Sequence, residues 1–150
     1  VMQKNLEERI KEHEGFRSFV YKDSLGKATI GWGHLLTEED DYEEGNEYSV
    51  DQLEATFQID LENAKQGAMR IAEDNHIYIN EHRTVVFEVL IEMVFQLGAS
   101  GVGKFKKFLL NLSKHQHGSA ADEMLDSRWS MQTPHRAEEL SLIIRAQADA

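Results

Sequence analysis

Three polar side chains near the start of the chain have types and spacing suited to acid and base chemistry: Glu14, Asp23 and Thr29. Glu14 closes an amphipathic segment, residues 5–14, in which Leu6 and Ile10 share a face, and Gly15 follows as a terminator, so the spacing predicts a short helix ending at Glu14. At that end the negative pole of the helix and any burial both favour a protonated carboxyl, which is what a general acid needs. Asp23 falls in the turn sequence Asp23-Ser24-Leu25-Gly26, where open hydrogen bonding leaves a carboxylate ionised and able to activate a water. Thr29 lies on the strand that follows, with a hydroxyl able to orient that water. The chain has 27 Asp and Glu, nearly all of which a solvated surface accounts for, so position rather than residue type singles these out.

The elements that must hold them can be read in outline. From Phe16 to Leu36 the residues become β-branched, aromatic and glycine-rich, which predicts a hairpin whose second arm carries Thr29, Ile30, Gly31, Trp32 and Gly33. Ser49 and Gln52 form a capping box, and Val50, Leu53, Phe57, Leu61, Ala64, Ala68 and Ile71 keep helical spacing, giving one long helix over residues 49–74. Val85, Val86, Val89, Leu90, Met93 and Val94 mark a buried central helix ending at Gly98. Shorter helices are expected over residues 104–112, over residues 119–127 with Ser119 as N-cap, and after Thr133-Pro134, with Thr133 as cap and Pro134 in the first turn.

Composition narrows the function classes. At 150 residues, 41% hydrophobic and 29% charged, the chain is sized for one globular domain. No apolar run is read as reaching the roughly 20 residues of a membrane span, and no signal-peptide stretch stands at the N-terminus, so neither membrane insertion nor an export signal is expected. Cysteine is absent, which excludes disulfides, thiolate metal sites and a cysteine nucleophile. The seven histidines show no zinc-like spacing, and neither metal nor cofactor is expected. A net charge of -11 argues against a nucleic-acid partner. Residues 38–47 hold seven carboxylates and no base, which reads as a solvated loop. A calcium loop starting at Asp40 fails, because Tyr42 takes its third position and Asp51 its twelfth.

Glu14, Asp23 and Thr29 reproduce the E-x8-D-x5-T pattern of the phage-type lysozymes of glycoside hydrolase family 24, which the chain resembles from about residue 5 to about residue 145. Glu14-Gly15-Phe16-Arg17, Val20-Tyr21-Lys22-Asp23 and Thr29-Ile30-Gly31-Trp32-Gly33-His34-Leu35-Leu36 are similar to the family's N-terminal lobe. Met93-Val94-Phe95-Gln96-Leu97-Gly98, Ser127-Arg128-Trp129 and Gln132-Thr133-Pro134-His135-Arg136-Ala137 are similar to its C-terminal lobe. The resemblance implies an α+β, mostly helical, two-lobed fold in one lysozyme-like domain over residues 1–150. A small β-hairpin lobe would cover about residues 15–60, a long helix at about 49–74 would connect, and a larger helical lobe would take in about residues 75–150 with the first helix.

The resemblance also implies roles. Glu14 would protonate the glycosidic oxygen between N-acetylmuramic acid and N-acetylglucosamine, Asp23 would be the base for water on the opposite face, and Thr29 would help hold that water, an inverting arrangement. Arg136 matches the arginine that pairs with the acid, His34 would pair with Asp60, and Gln96 would hydrogen-bond Trp129, with both tryptophans serving packing. Leu35 and Phe95 match saccharide contacts. Phe108 and Glu123 stand where the family has small hydroxyl and amide contacts to substrate. The implied protein is a monomeric bacteriolytic muramidase, a phage endolysin acting on peptidoglycan glycan strands, held in the host cytoplasm until a separate holin-like protein opens the membrane. The alternatives are a lytic transglycosylase, which does not need the Asp23 and Thr29 partners, and a tail-associated or glycan-binding domain.

Overall fold

The structure, a computed structural model, describes residues 4–147. They form α1 (Leu6–Glu14), β1 (Arg17–Lys22), β2 (Ala28–Gly31), β3 (His34–Leu35), α2 (Val50–Asp74), a 3-10 turn (Glu81–Arg83), α3 (Thr84–Gly103), α4 (Lys106–Ser113), α5 (His117–Leu125), α6 (Arg128–Gln132) and α7 (Pro134–Ala146). The chain divides into two compact units, Val1–Glu62 and Asn63–Ala150, and α2 contributes residues to both. The first is a small sheet unit that includes α1, and the second is a larger helical unit.

In the first unit, Asn5 caps α1 by accepting the Glu8 N–H at 2.9 Å. Gly15, at φ 73°, ends the helix, its N–H reaching Lys11 O at 2.9 Å. The sheet has three antiparallel strands in the order β1-β2-β3, where a two-stranded hairpin was expected. Trp32 and Gly33 form a tight turn, with Gly33 at φ 71°, and fold the expected second arm back on itself so that His34 pairs with Ile30 and Leu35 with Thr29. Tyr21 is opposite Thr29 on the other side. Directly paired residues project to one face, so Tyr21, Thr29 and Leu35 make a row, while Ile30 is turned into the core. That core also holds Leu6, Ile10, Leu53, Phe57 and Leu61.

The loop over residues 38–47 is anchored rather than merely solvated. Tyr42 and Tyr48 meet edge to face at 4.8 Å, Tyr42 bonds Thr56 at 2.6 Å, and the Tyr48 hydroxyl accepts the Glu43 N–H at 2.7 Å. The two tyrosines supply the apolar and hydrogen-bonding anchor that a count of carboxylates overlooks. Ser49 then caps α2, accepting the Gln52 N–H at 3.1 Å.

In the second unit α5 packs on α4 and α7, and α7 also contacts α3 and α6. Val89, Leu90, Met93, Val102, Leu109, Leu112, Met124, Leu140 and Ile144 are fully shielded from solvent. The central helix turns sharply at Gly98 (φ 78°) and resumes to Gly103. Residues Glu81–Gly103 are long and apolar enough, by length and composition, to cross a membrane, correcting the expectation that no such run exists. In the fold this is a core helix: Glu92 within it is 0% exposed and accepts from Arg136 Nε at 2.8 Å. Two cap assignments also change. Helix α5 starts at His117, which leaves Ser119 inside it, because the chain leaves α4 by a tight turn at Lys114 and His115. Thr133 holds the N-cap position of α7 but makes no side-chain cap; its hydroxyl donates to Trp129 O at 3.2 Å and accepts from Gln96 Nε2 at 3.4 Å. Ser127 caps α6, accepting the Ser130 N–H at 3.1 Å.

Candidate active site

Within the sheet unit the end of α1, the β1–β2 turn and the β2–β3 turn bring several polar groups together. Glu14 is the last residue of α1 and is partly exposed. Its carboxylate lies against the backbone of Gly33, so closely that a Cβ built on Gly33 would fall 2.5 Å from Glu14 Oε1. Asp23 Oδ1 accepts the N–H groups of Leu25 and Lys27, each at 2.9 Å, while Asp23 O accepts from Gly26 N at 2.9 Å. This is an Asx turn that holds the carboxylate by one oxygen. Oδ2 has no partner among the described residues and is left for solvent. Thr29 is 3% exposed and its hydroxyl donates to Lys27 O at 3.0 Å, keeping its lone pairs for an incoming donor.

Tyr21 ties these groups together, and sequence reasoning passed over it. Burial pushes its phenol pKa up, the Arg17 guanidinium 5.0 Å from its ring pulls it down, and the negative charges of Glu14 and Asp23 both push it up. One phenol therefore lies within electrostatic reach of both carboxylates. The available signal was its pairing opposite Thr29, which requires knowing the register. Leu35, at the far side of Thr29, is 46% exposed. Trp32 packs on Phe16 (4.6 Å) and Phe57 (5.7 Å), with Lys11 Nζ 4.3 Å above its ring.

His34 is clamped from both sides. Nδ1 lies 2.7 Å from Asp60 Oδ2 on α2, and Nε2 lies 2.9 Å from Asp40 Oδ2 in the acidic loop. A neutral imidazole carries one N–H, so two carboxylate partners require the imidazolium. The hydrogen bond to Asp60 is the main cause of a pKa raised to about 9; burial opposes it and Asp40 adds to it. For Asp40, burial favours the neutral acid, but the Thr37 N–H at 2.7 Å and His34 outweigh it and hold the pKa down. Asp40 was the unforeseen member, hidden among seven similar carboxylates.

The remaining predicted residues lie in the helical unit. Gln96 accepts from Trp129 Nε1 at 2.8 Å and offers its amide to Thr133 at 3.4 Å. Phe95 precedes it on α3 and is partly exposed. Arg136 donates from Nε to Glu92, a fully buried carboxylate that sequence reasoning missed because it sits in an apolar run. Phe108 and Glu123 both line a pocket of about 550 Å³ with Lys104, Lys106, Arg128 and Trp129. Phe108 is only 1% exposed, packed edge to face on Phe105, so it forms the pocket wall, whereas Glu123 presents a charge.

A carboxyl at the end of a helix, a turn carboxylate held by one oxygen and a hydroxyl on the strand after that turn are the group types that hydrolysis by acid and base needs. Residues 11–149 match the family described as Phage lysozyme, and the chain belongs to that family. It is therefore a glycoside hydrolase of the lysozyme and endolysin type. Similar curated proteins include the probable T4-type lysozymes 2 and 1 of Dictyostelium discoideum. Both are 30% identical, with 91% of each chain covered for the former and 95% for the latter. The pre-baseplate central spike protein Gp5 of Enterobacteria phage T4 is 28% identical over 93% of this chain, which spans 27% of that protein.

Proposed function

We propose that the protein hydrolyses the β-1,4 bond between N-acetylmuramic acid and N-acetylglucosamine with inversion, and that it acts as a bacteriolytic endolysin. Glu14 is the general acid: a carboxyl at the negative end of a helix is easier to keep protonated. Asp23 is the base, its Oδ1 fixed by two N–H groups and its Oδ2 left to take a proton from water. Thr29 offers lone pairs toward that water. Leu35 and Phe95 contact the sugar, with Glu123 placing a negative charge where it meets the glycan or its peptide stem. The observation that carries this reading is the Asp23 carboxylate, held at 2.9 Å by the Leu25 and Lys27 N–H groups through Oδ1 alone.

Two measurements test it. Glu14→Gln and Asp23→Ala should each lower wall hydrolysis at least about 1,000-fold with the fold intact by circular dichroism, the upper part of the range for acid and base groups. Proton NMR during cleavage should show the α-anomer of the new muramic reducing end forming first. A β-anomer would exclude inversion, and a 1,6-anhydro product would make the enzyme a transglycosylase.

The similarity to a central spike protein favours a second reading, a wall-processing domain of a longer tail-associated chain. Intact mass of the protein recovered from infected or expressing cells discriminates: 17.2 kDa supports the free enzyme, and a much larger chain supports the tail reading.

A further inference from the structure

The helical unit contains a second cavity, of about 410 Å³, whose walls include Asn80, His82, Arg83, His115, His117 and Gln147, none of them used by the chemistry above. Arg83 is 5% exposed. Nη2 donates to Leu112 O at 2.9 Å and meets His117 Nε2 at 3.3 Å. Nε and Nη1 are buried with no acceptor among the described residues. The other buried arginine of this unit, Arg136, has Glu92 beside it, but no described carboxylate forms an ion pair with Arg83. Glu81, on the same turn, faces outward to His82 at 3.5 Å, both side chains largely exposed. A buried guanidinium with idle donors and no anion is expensive, and a ligand that only accepts hydrogen bonds removes the expense.

His117 makes the cavity acid-sensitive. Arginine only donates, so His117 Nε2 must accept, which fixes that ring as neutral with its proton on Nδ1. Burial, then Arg83 and His115, hold the His117 pKa below its ordinary value. Protonation of His117 removes the lone pair that Arg83 uses, which releases Nη2 and adds a second cation. His115 is held beside it, ring centroids 6.1 Å apart, at φ 58° in the turn between α4 and α5.

We propose that this cavity is a binding site for a phosphate-class oxyanion, with Arg83 supplying the permanent charge, His117 adding a donor and a charge in acid, and His115 lining the cavity beside it. One arginine suits a monovalent carboxylate; an arginine joined by a protonated His117 suits a ligand carrying close to two negative charges.

The test uses the full chain at constant ionic strength, following the His115 and His117 ring resonances. Inorganic phosphate should shift both saturably. Sulfate, dianionic throughout, should bind roughly tenfold tighter at about pH 6 than at about pH 8 as His117 titrates. Arg83→Met should abolish the saturable response. If that variant unfolds, His117→Phe, which keeps a ring without Nε2, should retain weak binding and lose its pH dependence. Glycerol phosphate binding as tightly as inorganic phosphate supports a phosphomonoester headgroup, and its exclusion supports the free ion. A linear response, an equal response to acetate, or sulfate binding unchanged in both variants would overturn the site and leave Arg83 solvated by buried water alone.

Discussion

A single methyl group separates Gly33 from collision with the Glu14 carboxylate. An alanine there is strained twice, by its φ of 71° and by a Cβ 2.5 Å from Oε1. Gly33→Ala should therefore destabilise the protein by about 1–2 kcal/mol and also displace the acid, lowering kcat/KM at least about tenfold. Gly45 is the control: φ is 89° but nothing lies within 4 Å of an added Cβ, so Gly45→Ala should show the stability loss in urea without the loss of lysis. The His34 clamp makes stability depend on pH. A histidine raised to about 9 contributes stability that is fully present below its unfolded pKa near 6.5 and is lost as pH rises through about 9. Asp40, held low, contributes stability present above its unfolded value near 3.9 and lost as pH falls through its lowered one. Thermal stability should peak between about pH 4.5 and 6.5, and His34→Gln should flatten the alkaline limb. A double-mutant cycle on His34 and Asp60 showing no coupling would refute the clamp.

Helices α2 and α4 end in the same way. In each, the residue past the cap is a histidine at φ 58°, His76 or His115. The next N–H bonds back to the last turn, Ile77 N to Ala72 O at 2.8 Å and Gln116 N to Asn111 O at 2.9 Å. Glycine is the residue that this left-handed position favours. His76→Gly, on an exposed site, should stabilise by about 0.5–1 kcal/mol in urea unfolding. A histidine where glycine is the usual marker explains why the α4–α5 boundary was misplaced. What periodicity could show, it showed well: the apolar spacing from Val50 to Ile71 gives α2 nearly to the residue. Register is different, because whether Trp32-Gly33 continues a strand or turns it depends on Leu35 finding Thr29, a contact no local pattern encodes. The candidate site divides likewise. Glu14, Asp23 and Thr29 stood out by type and position, whereas Tyr21 and Asp40 acquire their places only through pairing across the fold.

Over the whole molecule, charge is divided between the units. Val1–Glu62 carries six basic and sixteen acidic side chains, net -10, and Asn63–Ala150 carries ten and eleven, net -1. Peptidoglycan presents carboxylates, so the sheet unit is repelled at long range while Lys104, Lys106, Lys107 and Arg128 line a pocket in the helical unit. Lysis of wall suspensions should rise with moderate salt, as repulsion is screened, and then fall; a monotonic decline from the lowest ionic strength would count against this account. The buried pair of Glu92 and Arg136 has a consequence during synthesis as well as in the folded state. Glu92 is the central residue of the 23-residue segment Glu81–Gly103, and Arg136 is made only later. Until then a carboxylate marks the middle of the most apolar stretch in the chain. A charge at that depth adds about 3 kcal/mol to the cost of entering a bilayer, which directs the nascent segment to water until its partner emerges from the ribosome.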